Sequence, residues 1–263
     1  MFSIKDIPRK FIQTSGILWE GASMIDGKPI VVIAVGFGAK GSTNVKTGEM
    51  IQTYILRADV APLDALKSGE DASICGDCKH RHQYGPEGDI TASRTCYVDV
   101  TKAPTSVFRA FSRNRYARIR IDNAPFSGKL VRLGTYGDPA AVPFEVWCKI
   151  LLGAKGHTGY THQWKTGDQR LRSIVMASCD SMAELALARS GGWRSFIVTA
   201  SDYVGKIKGA ATCPASEEGG RKLTCATCLA CHGAGSRQRG DIAIRLHGSA
   251  AGTKSEAALL ARI

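Results

Sequence analysis

The sequence predicts an α/β fold, a parallel partial or complete (β/α) barrel over about residues 105–250 behind a β-rich, cysteine-bearing segment. Two observations carry this. From residue 129 onward, short β-branched runs alternate with helical stretches, the pattern of parallel βα units. Before residue 60, the β-branched runs are separated by turn signals with no helix between them. The reading divides the chain into an N-terminal region, 1–103, and a barrel-like domain, 104–263, that carries a C-terminal cysteine group.

In chain order, Asp26-Gly27 is a turn signal ahead of Pro29-Ile30-Val31-Val32-Ile33-Ala34-Val35, a buried strand. Asn44 to Gly48 reads as a second turn and Met50 to Leu56 as the returning strand. Gly36, Gly38, Gly41 and Ser42 lie between them without a following helix, so they read as a hairpin loop rather than a phosphate cradle. Residues 104–121 read as a basic helix with an exit strand. Strands follow at Leu130–Leu133, Thr158–Trp164, Ser173–Ser178, Ser195–Thr199, Gly209–Thr212 and Asp241–His247. One helix is expected over Val142–Gly153. A second opens at the capping box Ser181-Met182-Ala183-Glu184 and closes at Gly191-Gly192.

The strongest chemical signal is in the cysteines. Cys225-Ala226-Thr227-Cys228-Leu229-Ala230-Cys231, with Cys213-Pro214 upstream, has the spacing of a ferredoxin-type [4Fe–4S] ligand set, in which a C-x2-C-x2-C run and a remote Cys-Pro supply the thiolates. Zinc is the alternative, although its sites more often use two separated C-x2-C pairs. Cys75-Gly76-Asp77-Cys78 is a knuckle that Cys96 could join. His80 and His82 could each complete a Cys3His site, but each reads singly as a solvated loop residue. Cys148 falls inside a helix, and Cys179 adjoins a strand end. The start Met1–Pro8 lacks the apolar core of a secretory signal, so nine cysteines point to metal ligands in a cytoplasmic protein rather than to disulfides. No apolar run approaches the roughly 20 residues of a membrane span.

Net charge is +12, which favours nucleic acid or a phosphate-bearing ligand as partner. Arg109, Arg113, Arg115, Arg118 and Arg120 form the densest basic stretch, either a solvated face or a phosphate-contacting strip interleaved with Phe111 and Tyr116. In a parallel barrel, chemistry sits at the C-terminal strand ends. That rule gathers Asp138, His162, Asp180, Ser201, Cys213 and His247 on one face, with Asp138, His162, Asp180 and His247 as candidate catalytic residues. Helix capping by Asp138 or Asp180 and a core role for His162 are the plain alternatives.

A cysteine group, then a helix, then a strand ending in Gly137-Asp138-Pro139, then further βα units, resembles a divergent radical S-adenosylmethionine partial barrel over about residues 75–250. The resemblance implies that Gly137, Asp138 and Pro139 contact the methionine end of that cofactor. The family's C-x3-C-x2-C signature is absent. The whole chain also resembles an uncharacterised family of bacteriophage and prophage proteins, which implies expression in a bacterial host cytoplasm.

Three functions follow as expectations. The first is an iron–sulfur enzyme with a radical S-adenosylmethionine-like barrel, acting on a nucleotide or nucleic acid. The second is a non-catalytic zinc- or cluster-stabilised nucleic-acid-binding protein, and the third a protein–protein adaptor with structural metal. Oligomeric state is not legible.

Overall fold

A computed structural model describes residues 14–38, 45–121, 125–235 and 240–263. The readings at Met1–Pro8, Gly41, Ser42 and Asn44 lie outside the described residues. The chain begins with strands β1 (Ser15–Ala22), β2 (Pro29–Val35) and β3 (Ile51–Arg57), then short helices α1 (Pro62–Ser68) and α2 (Ala72–Cys75). A small hairpin, β4 (Gln83–Tyr84) with β5 (Ile90–Ala92), precedes α3 (Ala103–Ser112). Next come β6 (Leu130–Tyr136), a 3-10 turn over Pro139–Ala141, and α4 (Phe144–Leu151). Then follow β7 (Gly156–Thr158), β8 (Tyr160–Thr161), β9 (Met176–Cys179), α5 (Met182–Ser190) and β10 (Ser195–Thr199). The chain closes with β11 (Ala210–Thr212), α6 (Cys225–Cys228), β12 (Asp241–Arg245) and α7 (Lys254–Leu260).

The α/β expectation holds. One sheet has the order β1-β2-β3-β6-β7 and is parallel from β3 onward; the other, β11-β12-β10-β9-β8, is parallel throughout. The sheets share one stretch of chain. Residues 156–158 pair with β6, and residues 160–161 pair with β9. Gly159 sits between them, where a Cβ would come within 2.8 Å of Val175 and 3.0 Å of Leu133. Only glycine lets the backbone pass that close. No closed barrel is found among the described residues, where β1 and β11 are the outer strands.

Several boundaries moved. The expected strand Thr158–Trp164 is confined to Tyr160–Thr161, because Trp164 turns inward and donates its indole N–H to the Ser178 carbonyl at 3.0 Å. Residues Gln169–Ser173 form a 3-10 turn, so the strand expected at Ser173 starts at Met176. Pro143 sits at the N-cap of α4. The basic helix stops at Ser112, since Arg113 has left helical geometry and Asn114 adopts φ 52°. The chain then runs along β1: the Ile17 N–H donates to the Ala117 carbonyl at 3.0 Å, and the Ile17 carbonyl accepts from the Ile119 N–H at 2.8 Å, on either side of Arg118.

One apolar core spans both sheets, with Ile30, Ile33, Ile55, Leu133, Trp147 and Ile150 almost fully buried. A second, smaller cluster joins Met176, Ile242 and Ile244 to the C-terminal cysteines. No helix among the described residues is long and apolar enough to cross a membrane.

Candidate metal centres around one cavity

The last strands carry the C-terminal cysteine group. Cys213 follows β11, and its N–H is tied to the Ala243 carbonyl at 2.8 Å. Cys225 and Cys228 begin and end α6, a single turn capped by Thr224 and Thr227, whose side chains bond each other's backbone N–H. Leu229 then takes φ 49°, a left-handed step that turns the chain and leaves Cys231 buried, with its carbonyl accepting from Gly159 at 2.9 Å. These cysteines pack into the same apolar cluster. Cys213 feels the charges of Cys225 and Cys228, and Cys231 those of Cys213 and Cys225. Burial pushes the Cys231 thiol up to about 12, against the opposing effect of the Tyr160 hydroxyl. All nine cysteines are free thiols.

Cys75, Cys78 and Cys96 form the other group. Cys75 ends α2, and Cys78 lies in the turn beyond it, where its N–H meets the Cys75 carbonyl at 3.3 Å. Cys96 is brought back by a bond from its N–H to the His80 carbonyl at 3.1 Å. Burial raises the Cys75 thiol, as do Asp71, Cys78 and Cys96, which all lie within its electrostatic reach. No three cysteine sulfurs in either group lie within 4.8 Å of one another.

Both groups line one cavity of about 430 Å³. Arg132, on β6, is buried in its wall, donates to the Tyr97 hydroxyl at 2.8 Å and lies 5.5 Å from the centre of the Tyr160 ring. No carboxylate pairs with it among the described residues. Burial opposes its charge, but Tyr97, Tyr160 and the Cys225 thiol prevail and hold the guanidinium protonated. Sequence reasoning missed Arg132. Its signal was a lone charge inside the apolar run Leu130-Val131-Arg132-Leu133.

Of the strand-end candidates, Asp138, His162 and Asp180 come together. Asp138 caps the 3-10 turn through Oδ1, which accepts from Ala140 N–H at 2.9 Å; its Oδ2 accepts from His162 N–H at 2.7 Å. His162 Nε2 lies 3.7 Å from Asp180 Oδ2 and finds no well-formed hydrogen bond among the described residues. Asp180 does not cap α5, because Ser181 does, accepting from Glu184 N–H. Asp180 Oδ1 lies 2.9 Å from His80 Nε2. Burial works against the Asp180 charge, but the two imidazoles outweigh it and hold the carboxyl below its usual range.

His80 corrects an expectation: it is buried, not a solvated loop residue, because Thr95 and Asp180 satisfy its two ring nitrogens. His82 is half-buried and accepts from Arg94 N–H at 3.1 Å. His247 does not join Asp138, His162 and Asp180. It stacks on Tyr97 with ring centres 5.1 Å apart, and its Nε2 lies 3.2 Å from Lys46 Nζ. Ser201 is committed to Glu256, through N–H at 2.6 Å and Oγ at 2.7 Å. Cys148 and Cys179 belong to neither thiol group. Arg109, Arg113, Arg115, Arg118 and Arg120 are all exposed, and Arg118 pairs with Glu20.

Fold and site together define an α/β protein with a largely parallel sheet system and two groups of reduced thiols at one cavity. No protein-family model, no curated protein and no solved structure matches the chain.

Proposed function

We propose that this is an iron–sulfur protein in which Cys213, Cys225, Cys228 and Cys231 hold a [4Fe–4S] cluster at the wall of the cavity. One observation carries the reading. The four thiols pack into one apolar cluster within electrostatic reach of one another, in a C-x2-C-x2-C run with a remote Cys-Pro. That ligand spacing is the ferredoxin one, whereas zinc sites more often use two separated C-x2-C pairs. The Arg132 guanidinium, with no carboxylate partner among the described residues, supplies the countercharge an anionic cluster calls for in a buried setting.

When bound, such a cluster supplies one-electron transfer. The chain's own residues pack against it: Ile242, Ile244 and Met176 join the thiols in one apolar cluster, in which Cys213 and Cys231 are buried and Cys225 and Cys228 half-buried. Arg132, Tyr97 and Tyr160 give the adjoining cavity a cationic, hydrogen-bonding wall suited to an anionic small molecule such as a nucleotide. The finer reading, a radical S-adenosylmethionine-like open barrel, draws support from chain order. β3, β6, the stretch 156–161, β9 and β10 lie side by side in sequence order and parallel; thiols follow β3, and Gly137-Asp138-Pro139 follows β6.

The test is iron and acid-labile sulfide analysis with visible absorbance on anaerobically purified protein. About four irons and four sulfides per chain, in brown protein, is the expected result. Colourless protein with stoichiometric zinc overturns it. Incubating the reduced protein with S-adenosylmethionine tests the enzyme reading separately, with cleavage of the cofactor as the outcome.

A second reading, nucleic-acid binding, rests on the exposure of the five arginines between 109 and 120 together with the net charge of +12.

A further inference from the structure

His80, His162 and Asp180 come from three separate parts of the chain. His80 lies beyond the Cys75–Cys78 knuckle, His162 directly follows β8, and Asp180 directly follows β9. One ligand atom of each lies within 4.8 Å of those of the other two. Two imidazoles and a carboxylate are a donor set for a borderline divalent ion of the first transition row, and three protein ligands leave a coordination position open.

The geometry is set before any ion arrives. Thr95 Oγ1 lies 2.8 Å from His80 Nδ1, which directs Nε2 at Asp180. Such an outer partner fixes ring orientation in metal sites. The His162 backbone is pinned by Asp138, and the Asp180 N–H is held by Glu184 Oε2 at 2.8 Å. The rings meet edge to face with centres 5.6 Å apart, so they do not stack on each other. The decisive feature is His162 Nε2, a buried nitrogen that finds no well-formed hydrogen bond among the described residues and lies 3.7 Å from the carboxylate, with the Cys78 thiol also facing the ring. Leaving a buried polar atom without a partner is destabilising, and a ligated ion would satisfy it.

We propose that His80 Nε2, His162 Nε2 and the Asp180 carboxylate bind a mononuclear divalent transition ion, Zn²⁺ or Fe²⁺, distinct from the C-terminal thiol centre. Both histidines line the cavity, so the open position faces the space where a small ligand would sit. An ion there acts as a Lewis acid toward a carbonyl, phosphoryl or water oxygen. Cys78, one of the N-terminal thiols, lies within electrostatic reach of His162. The inference does not depend on what the C-terminal cysteines hold.

The experiment measures zinc and iron per chain after saturation with Zn²⁺ and removal of excess, in wild type, Cys228→Ser, His80→Gln and His162→Gln. Each histidine variant should lose one zinc equivalent, or bind it at least tenfold more weakly, without change in iron. Cys228→Ser should lose the C-terminal metal and keep this zinc, with a nitrogen/oxygen-dominated shell by X-ray absorption. Fe²⁺ added anaerobically in place of Zn²⁺ decides between the two ions. The proposal is overturned if both histidine variants retain wild-type zinc, or if the zinc left in Cys228→Ser has only sulfur neighbours. Should a histidine variant be insoluble, the absorption spectrum of Cys228→Ser and of zinc-loaded wild type decides alone, since a shell without imidazole scattering rules the site out. Because the variants separate the two centres, failure here and failure of the iron–sulfur reading give different metal counts.

Discussion

Arg132 and Tyr97, 35 residues apart in the chain, meet at the cavity wall with Nη2 2.8 Å from the phenol oxygen. A strand side chain is thereby fixed beside Cys225 with its charge intact. Adding an electron to a cluster makes it more negative, and a nearby cation stabilises that state. Arg132→Leu should therefore lower the reduction potential by roughly tens of millivolts, while Arg132→Lys should lower it less. A redox titration followed by electron paramagnetic resonance measures both. An unchanged potential in Arg132→Leu places the guanidinium too far from the cluster to matter.

Replacing Cys213, Cys225, Cys228 or Cys231 by Ala should each reduce metal content and soluble yield, because metal binding and folding are linked. Cys148→Ala is the control: this thiol sits on α4, outside both groups, and its loss should leave metal content unchanged. Full metal and full thermal stability in Cys228→Ala would remove that residue from the ligand set.

Gly137 tests the turn between β6 and the cavity. It holds φ 83°, and a Cβ there would lie 2.7 Å from Ile55 Cβ and 2.8 Å from the Ile55 carbonyl oxygen. Gly137→Ala combines left-handed strain of about 1–2 kcal/mol with overpacking of about 1–3 kcal/mol. Urea unfolding should show a loss of about 2–5 kcal/mol, and a smaller loss means that β3 can move away.

His157 sets a pH limit. Burial, and then the nearby His232, pull its imidazole down to about 4, although the ring also donates from Nε2 to the Ile174 carbonyl at 2.7 Å. Unfolded, it titrates near 6.5. Between pH 6.5 and 4 the unfolded chain takes up a proton that the folded chain refuses. Stability should therefore fall as pH drops through that window, by at most about 3 kcal/mol. His157→Gln should flatten this slope between pH 7 and 4.5, measured by urea unfolding at each pH.

The sequence was most legible where local patterning decides structure. Pro29–Val35 and Ser195–Thr199 stand where their β-branched runs indicated, and Ser181 caps α5, although Glu184 accepts from the Asp180 N–H and does not close the box on Ser181. It was least legible where long-range contacts decide. The burial of His80 depends on Asp180, a hundred residues away, so no local pattern could separate it from a loop histidine. The early end of α3 follows from Asn114, whose short polar side chain tolerates left-handed geometry in the middle of an otherwise helical pattern. Asp138 and Asp180 looked alike at strand ends, yet one caps a turn and the other faces two imidazoles. Only the packing of β8 against β9 tells them apart.

The arginine strip makes a prediction that separates charge from chemistry. Arg109 sits in the last turn of α3, Arg113 caps it, and Arg115, Arg118 and Arg120 follow on the segment beside β1. All are exposed, and Arg118 is partly neutralised by Glu20. A row of guanidinium groups displaces counterions from a phosphate backbone, and each neutralised phosphate adds roughly one unit to the salt slope of binding. Phe111 packs against the core and Tyr116 is half-buried, so base stacking is not the expected source of affinity. Binding should therefore be insensitive to sequence and steep in salt. Fluorescence anisotropy with a labelled oligonucleotide at 50 and 200 mM salt should show this for wild type. Arg109→Ala/Arg113→Ala/Arg115→Ala should lose about two to three units of slope, with metal content unchanged. If wild type does not bind at the lower salt, or the triple variant keeps the wild-type slope, the strip is a solvated face and the positive charge serves a ligand inside the cavity instead.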